Sequence, residues 1–388
     1  MIKRLKLCLR ILFISIFFLG CGSDSNNSNN LETENDVSKK AFLAFSDSDY
    51  LDLGLKKDSV EVWEDGMRSN GKSGSFEWWY SDFIFSDGTT VAVVFYTKFI
   101  FNTYGPAHPM VSITIQSPNG KTTQETYLQS VNTEINASKL FPDVHIGKSY
   151  LTYHEGNYQL HFEKDNLIFD ATMISTLPMI RAKTGFVYFG ESKEKYFAWL
   201  PAQASSNVKA TLSKNGVESN LLGIGYHDHN WGNSPMNENI NSWYWGRAKV
   251  GEYTLVFSEI VAHEDFNNSK IPLLLIGKKD KYIKLKGDIL VTKSNEITHP
   301  STNKSYATTL TFTQKDENGL KYTIVTKYKQ DITFLDMNLL PFEIGKNPTY
   351  LRSLGDINLT ITERNNTQKS YLGQAILEQM SFDDTIVP

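Results

Sequence analysis

Residues 223–232 read GIGYHDHNWG and place six chemically capable side chains in a row between glycines: Tyr226, His227, Asp228, His229, Asn230 and Trp231. In an extended run, alternate side chains face opposite ways. Tyr226, Asp228 and Asn230 then share one face, and His227, His229 and Trp231 the other. Protonating an isolated alkene needs a carboxylic acid kept neutral by burial. Indole faces such as Trp231 and Trp245 stabilise the resulting cation, and a histidine, His229 foremost, orients the attacking water. A cycloaddition asks for less: a hydrogen-bond donor on a substrate carbonyl, from His229, Asn230 or Tyr80, and a shape that holds the reactive fold.

Each element of this reading has a plainer counterpart. Asp228 with a neighbouring histidine can be a satisfied polar knot at a turn. His227 and His229 have the spacing of metal ligands on one strand face, but no third ligand is identifiable, so no metal is expected. A Ser-His-Asp hydrolase is disfavoured because no G-x-S-x-G elbow occurs. Trp78, Trp79, Tyr80, Trp243 and Trp245 can simply fill a core, since aromatics favour strands and bury large areas. Glu77, on the same strand face as Trp79, reads as a partly enclosed carboxylate paired with Arg247.

The elements that must position these residues are strands. Asx-Gly pairs recur at Asp65-Gly66, Asn70-Gly71, Asp87-Gly88, Asn119-Gly120, Asn215-Gly216 and Asn318-Gly319, with short β-rich runs between them, the pattern of hairpins. Long amphipathic helices are absent; one short helix is expected near residues 376–380. About 340 residues of such chain exceed one small barrel, and the polar, Pro-containing stretch 233–239 separates two strand signals. The expected fold is all-β, with two tandem antiparallel β-barrels over residues 46–234 and 235–388.

The N-terminus has its own character. Lys3, Arg4, Lys6 and Arg10 precede an apolar run over 11–19 and then Gly20-Cys21. Phe18-Leu19-Gly20-Cys21 resembles a bacterial lipobox, which implies that residues 1–20 are a signal peptide and Cys21 is lipidated. Residues 21–45 then begin with a lipid attachment and continue as an Asn/Ser-rich disordered tether. The two cysteines are Cys8 and Cys21, so the exported body has no disulfide and no thiol chemistry. Without residues 1–20, Lys+Arg falls from 39 to 35 against 43 acidic residues, and the net charge moves from −4 to −8. That balance argues against nucleic acid as a partner. Expected partners are an apolar small molecule and, through Cys21, a membrane; the protein is expected to be a monomer in the cell envelope.

Three stretches carry a family resemblance. Ser75-Phe76-Glu77-Trp78-Trp79-Tyr80 is similar to the N-terminal "EWWY" strand of the AttH-like proteins, which include carotenoid 1,2-hydratase (hydroxyneurosporene synthase) and lipocalin-like Diels–Alderases. GIGYHDHNWG, followed by Ser242-Trp243-Tyr244-Trp245-Gly246-Arg247, resembles the central signature of that family, and YFAWLPAQASSNVKATL at 196–212 resembles the segment before it. The resemblance implies two lipocalin-like barrels around a cavity, an apolar substrate, and neither metal nor organic cofactor. It also implies an acid and a tyrosine on the strand after the tryptophan motif. Here Glu259 stands for the acid, and Phe257 occupies the tyrosine position.

These readings converge on a cofactor-independent hydratase, cyclase or isomerase for an apolar molecule. Asp228, His229, Glu259 and Glu77 are the candidate catalytic groups. Trp78, Trp79, Tyr80, Tyr226, His227, Asn230, Trp231, Trp243, Trp245 and Arg247 are the candidate ligand contacts. The rival is a non-catalytic carrier of hydrophobic ligands using the same cavity, and a third reading is a purely structural envelope protein.

Overall fold

The computed structural model describes residues 39–100, 102–118, 122–128, 135–300, 304–337 and 345–383. The expected signal peptide over residues 1–20, Cys21, most of the expected tether and the Asn119-Gly120 pair lie outside the described residues. The fold is all-β and lipocalin-like, built from two curled antiparallel sheets. Among the described residues, thirteen strands between Ala41 and Gly232 form the first sheet, and nine strands between Ile240 and Ser381 form the second. Both are open half-barrels.

Strand burial explains how the sheets meet. Leu167–Ser175 buries Leu167, Phe169, Ala171 and Met173 and leaves the alternate residues outside. It covers a core on one face only. Tyr253–Ala262 is buried at every position. Its two faces must therefore both be covered, one by the interior of its own sheet and the other by the first sheet. Three apolar cores result. One fills the first half-barrel around Trp79, Phe83 and Phe169. Another fills the second half-barrel around Phe257, Phe312 and Leu359. The third lies between the sheets, with Tyr80, Trp199 and Tyr226 from the first and Trp245, Ile260 and Ile376 from the second.

The strands that build this junction are few. Phe76–Phe85 pairs with Val217–Gly232, which pairs with Lys195–Lys214. The last two are joined at Asn215-Gly216, both in the left-handed region (φ 53° and 77°), as a tight hairpin turn requires. In the second sheet, Ile240–Val250 lies between Tyr253–Ala262 and Gln368–Ser381, and the latter pairs with Thr349–Thr362.

Two local expectations are corrected. Residues 376–380 form no helix; they lie inside the Gln368–Ser381 strand, bonded on both sides. Two ladders outweigh what one isolated helical turn would gain. Asp65-Gly66 and Asn70-Gly71 do not make hairpins. They lie in the segment before the first long strand, where Asp65 ends a 3₁₀ turn over Val62–Asp65 and is completely buried.

Candidate active site

The register of the two central strands sorts the chemistry-bearing residues. Trp79 stands opposite His229, Tyr80 opposite Asp228, and Glu77 opposite Trp231. Because the pleat alternates, Glu77, Trp79, His227, His229 and Trp231 turn into the first half-barrel. Trp78, Tyr80, Tyr226, Asp228 and Asn230 turn outward, toward the second sheet.

The inward set is a closed polar knot. His229 Nε2 lies 2.8 Å from Glu77 Oε1, and its Nδ1 lies 3.5 Å from Asp65 Oδ1. His227 bridges the Tyr80 carbonyl (Nδ1, 2.8 Å) and Asp65 Oδ2 (Nε2, 3.2 Å). Tyr158 donates its hydroxyl to Asp65 Oδ2 at 2.5 Å, and the indole N–H of Trp79 donates to the Asp65 carbonyl at 3.0 Å. Glu77 also accepts the backbone N–H of Ser69 at 2.8 Å. The Trp79 and His229 rings stack 4.6 Å apart, 10° from parallel. Asp65, Glu77, His227 and His229 are all solvent-inaccessible. Burial works against a charge on His227, but the Asp65 carboxylate outweighs it and the imidazole pKa is raised. Both imidazoles are committed to carboxylates. Among the described residues no group of three or more His, Cys, Asp and Glu is arranged to hold a metal ion.

The outward set lines a cleft between the sheets, with about 530 Å³ of atom-free space, part of it open to solvent. Trp78, Trp199, Trp243 and Trp245 are its aromatic walls, and Asp228, Glu378 and Ser258 its polar ones. Asp228 accepts three hydrogen bonds: Trp199 Nε1 and the Tyr226 hydroxyl, both at 2.8 Å, and Asn230 Nδ2 at 2.7 Å. Burial pushes its pKa up to about 6, even against the lowering effect of those donors. Glu378 stands opposite Trp245 in the second sheet and accepts the Tyr350 hydroxyl at 2.7 Å. Burial pushes its pKa up to about 7, with Arg352 acting in the opposite direction. The cleft therefore holds two carboxyls poised near neutrality, the condition for general acid–base work. The indole N–H of Trp245 is buried there without a hydrogen-bond partner.

Behind the cleft, Asp82 ties the sheets together. It accepts the Tyr80 hydroxyl at 2.7 Å, is ion-paired with Arg247, and has Arg352 Nη2 at 3.5 Å.

The structure thus divides the sequence-derived candidates. Asp228, Asn230, Trp78, Tyr80, Trp243 and Trp245 line one cleft, and Tyr226 supports Asp228 from behind. Glu77, His227, His229, Trp79 and Trp231 are on the opposite face of the same sheet, so Glu77 and His229 share no site with Trp245. Arg247 pairs with Asp82 and not with Glu77, because the pleat turns Glu77 away from the second sheet. Glu259 also points away from the cleft. It stands opposite Tyr244, faces the second half-barrel and is ion-paired with Lys293, while its neighbour Ser258 reaches the cleft. Sequence reasoning missed Glu378, Asp82, Arg352 and Asp65. An alternation was available for Glu378: Ile376, Glu378 and Met380 share a face, an acid between apolar residues.

Comparisons with known proteins agree with this architecture. Residues 141–276 match the family model "Carotenoid hydratase CrtC". A quinolone epoxide rearrangement protein, asqO of Emericella nidulans, is 33% identical over 63 residues, which cover 16% of this chain and 17% of that protein. The chain thus spans about a sixth of the length of that curated relative. Among solved structures, CghA with Sch210972 superposes with a TM-score of 0.60 at 10% identity, covering 85% of this chain and 98% of that one. An AttH from Nitrosomonas europaea superposes with a TM-score of 0.59 at 13% identity, covering 84% and 98%. At such identities the two structures speak for the fold. The resemblance to the AttH-like and carotenoid-hydratase proteins holds, and in fold it extends past residue 262 into the last third of the chain.

Proposed function

We propose that this chain is a cofactor-independent acid–base enzyme acting on an apolar small molecule, in the class of hydratases, cyclases and isomerases. The observation that carries the proposal is the pair of buried carboxyls, Asp228 and Glu378, in one indole-walled cleft. Protonated Glu378, whose pKa lies above that of Asp228, gives its proton to one alkene carbon, the π electrons forming the new C–H bond. The adjacent carbon becomes a cation facing Trp78, Trp199 or Trp245, where ring quadrupoles stabilise it. In a hydration, water adds to the cation and releases a proton to ionised Asp228, which already accepts three hydrogen bonds. In a cyclisation or isomerisation, another double bond supplies the electrons or a neighbouring C–H loses its proton. An epoxide, the group named for the asqO relative, would be opened by the same protonation at oxygen. The match to the carotenoid hydratase family favours an isoprenoid or polyene skeleton.

The test is turnover of a panel of acyclic isoprenoid alkenes and epoxides in heavy-oxygen water, with products read by mass spectrometry. Asp228→Asn keeps the shape and removes the base. It is expected to lower kcat at least 100-fold, the scale of general acid–base catalysis, while ligand binding persists. Bound ligand extracted unchanged from the wild type, with no turnover in any assay, would leave a carrier.

The location is part of the same proposal and rests on the N-terminal sequence: an exported protein held to the cell envelope through Cys21, taken with it to be monomeric and two-domain, divided near residues 233–239. Cys21→Ser is expected to abolish radiolabelled palmitate incorporation; labelling that persists in this variant would reject the anchor.

A further inference from the structure

A second cavity opens in the first half-barrel, away from the junction. It has a volume of about 300 Å³, at the lower end of the range of small-molecule sites. Trp63, Phe186, Tyr188, Tyr196 and Trp231 supply aromatic walls. Trp199 borders both cavities, and its N–H is the one that holds Asp228.

The two cavities differ in charge. The cleft is lined by Asp228 and Glu378 and by no Lys, Arg or His. The second cavity is lined by Arg68, Arg181 and Lys193 against a single carboxyl, Glu64. Two of these cations are already engaged. Lys193 donates to Asp49 at 2.5 Å, and Arg181 has Glu64 at 3.4 Å and donates to the Ser59 carbonyl at 2.8 Å. Arg181 is nonetheless buried with its Nε unpartnered. Arg68 donates to the carbonyls of Gly66 and Lys139 and lies 5.0 Å from the Trp63 ring centroid. Among the described residues it has no carboxylate within ion-pair distance. Of the acids near it in sequence, Asp65 is taken up by His227 and Tyr158, Glu64 faces Arg181, and Glu77 is occupied by His229 and by backbone N–H groups.

A guanidinium with no carboxylate at ion-pair distance, set at an aromatic-walled cavity, selects an anion attached to an apolar body. The cleft, with two carboxyls and no cation in its lining, offers that head group no partner. We infer that the second cavity is a separate binding site for an amphipathic anion, an apolar chain or ring system ending in a carboxylate-like head that Arg68 receives. This site is independent of the chemistry proposed for the cleft.

The probes are oleate and oleyl alcohol, equal in chain and different in charge, titrated at pH 8 into the full protein by calorimetry. Oleate is expected to bind at least 10-fold more tightly than the alcohol. Arg68→Gln is expected to weaken oleate at least 10-fold and leave the alcohol unchanged. Leu55→Trp, which narrows the cavity without altering charge, is expected to weaken both. Asp228→Asn is expected to change neither. Thermal midpoints identify any variant that fails to fold, and because the Arg68 and Leu55 variants act independently, either one decides the question. Equal binding of the two probes, no binding of oleate, or oleate binding that responds to Asp228→Asn but not to Leu55→Trp overturns the assignment.

Discussion

At the scale of residues, environment separates chemically identical groups. Glu77 and Asp65 are carboxyls spent on holding two histidines, whereas Asp228 and Glu378 face a cleft. The difference should be visible in pH dependence. Folding raises the pKa of Asp228 to about 6 and of Glu378 to about 7. The native state then holds protons that the unfolded chain has already lost. Their contribution to stability is full below the ordinary carboxyl range and is lost as pH rises through about 6 and about 7. Asp228→Asn and Glu378→Gln remove that loss. Relative to wild type, each variant should gain stability between pH 4 and pH 8, by about 3 kcal/mol at most. Thermal melts at both pH values measure it, and a difference that does not move with pH counts against protonated carboxyls in the native cleft. The side-chain types of the Asp228 motif and its alternation were legible from residues 226–231 alone. Which face carried chemistry was not, because each face holds a plausible set and only the neighbouring sheet distinguishes them.

At the scale of elements, the strands follow from period-two burial and Asx-Gly turns, and most were readable. The failures have one cause: a strand bonded on both sides is held by ladders that its own sequence does not display. Residues 376–380 have ordinary helix formers and become strand because Ile240–Val250 and Thr349–Thr362 take up their backbone groups. Close packing leaves a further mark at Gly246 in the tryptophan motif. A Cβ there would meet the Phe257 ring at 2.5 Å and Leu377 at 2.9 Å. Phe257, which stands where the family resemblance implied a tyrosine, thus packs against Gly246 from inside the second half-barrel. Gly246→Ala should cost about 1–3 kcal/mol, as overpacked cores do, and the denaturation midpoint should fall accordingly. A wild-type midpoint in this variant would mean that Phe257 can yield.

At the scale of the whole molecule, Asp82 is the group on which the two sheets depend. It lies on a first-sheet strand and faces Arg247 and Arg352 from the second, all buried. Removing one partner of a buried ionic cluster leaves uncompensated charge and costs about 3–5 kcal/mol. Asp82→Ala should do so here and should loosen the second sheet from the first. Calorimetry is expected to show a lowered and broadened, or split, transition; a single unshifted transition would deny Asp82 that role. The sequence by itself determined the all-β character, the strand alternation, the aromatic richness of the junction and the residues 233–239 between the two sheets. Those properties are local: they depend on side-chain period, turn chemistry and composition within a few residues. Only the tertiary structure decided that Asp228 and Glu378 share a cleft while Glu77, His229 and Glu259 do not, and that Asp82, not Glu77, receives Arg247. Such pairings join residues more than a hundred positions apart, and they depend on which face of each sheet the other covers.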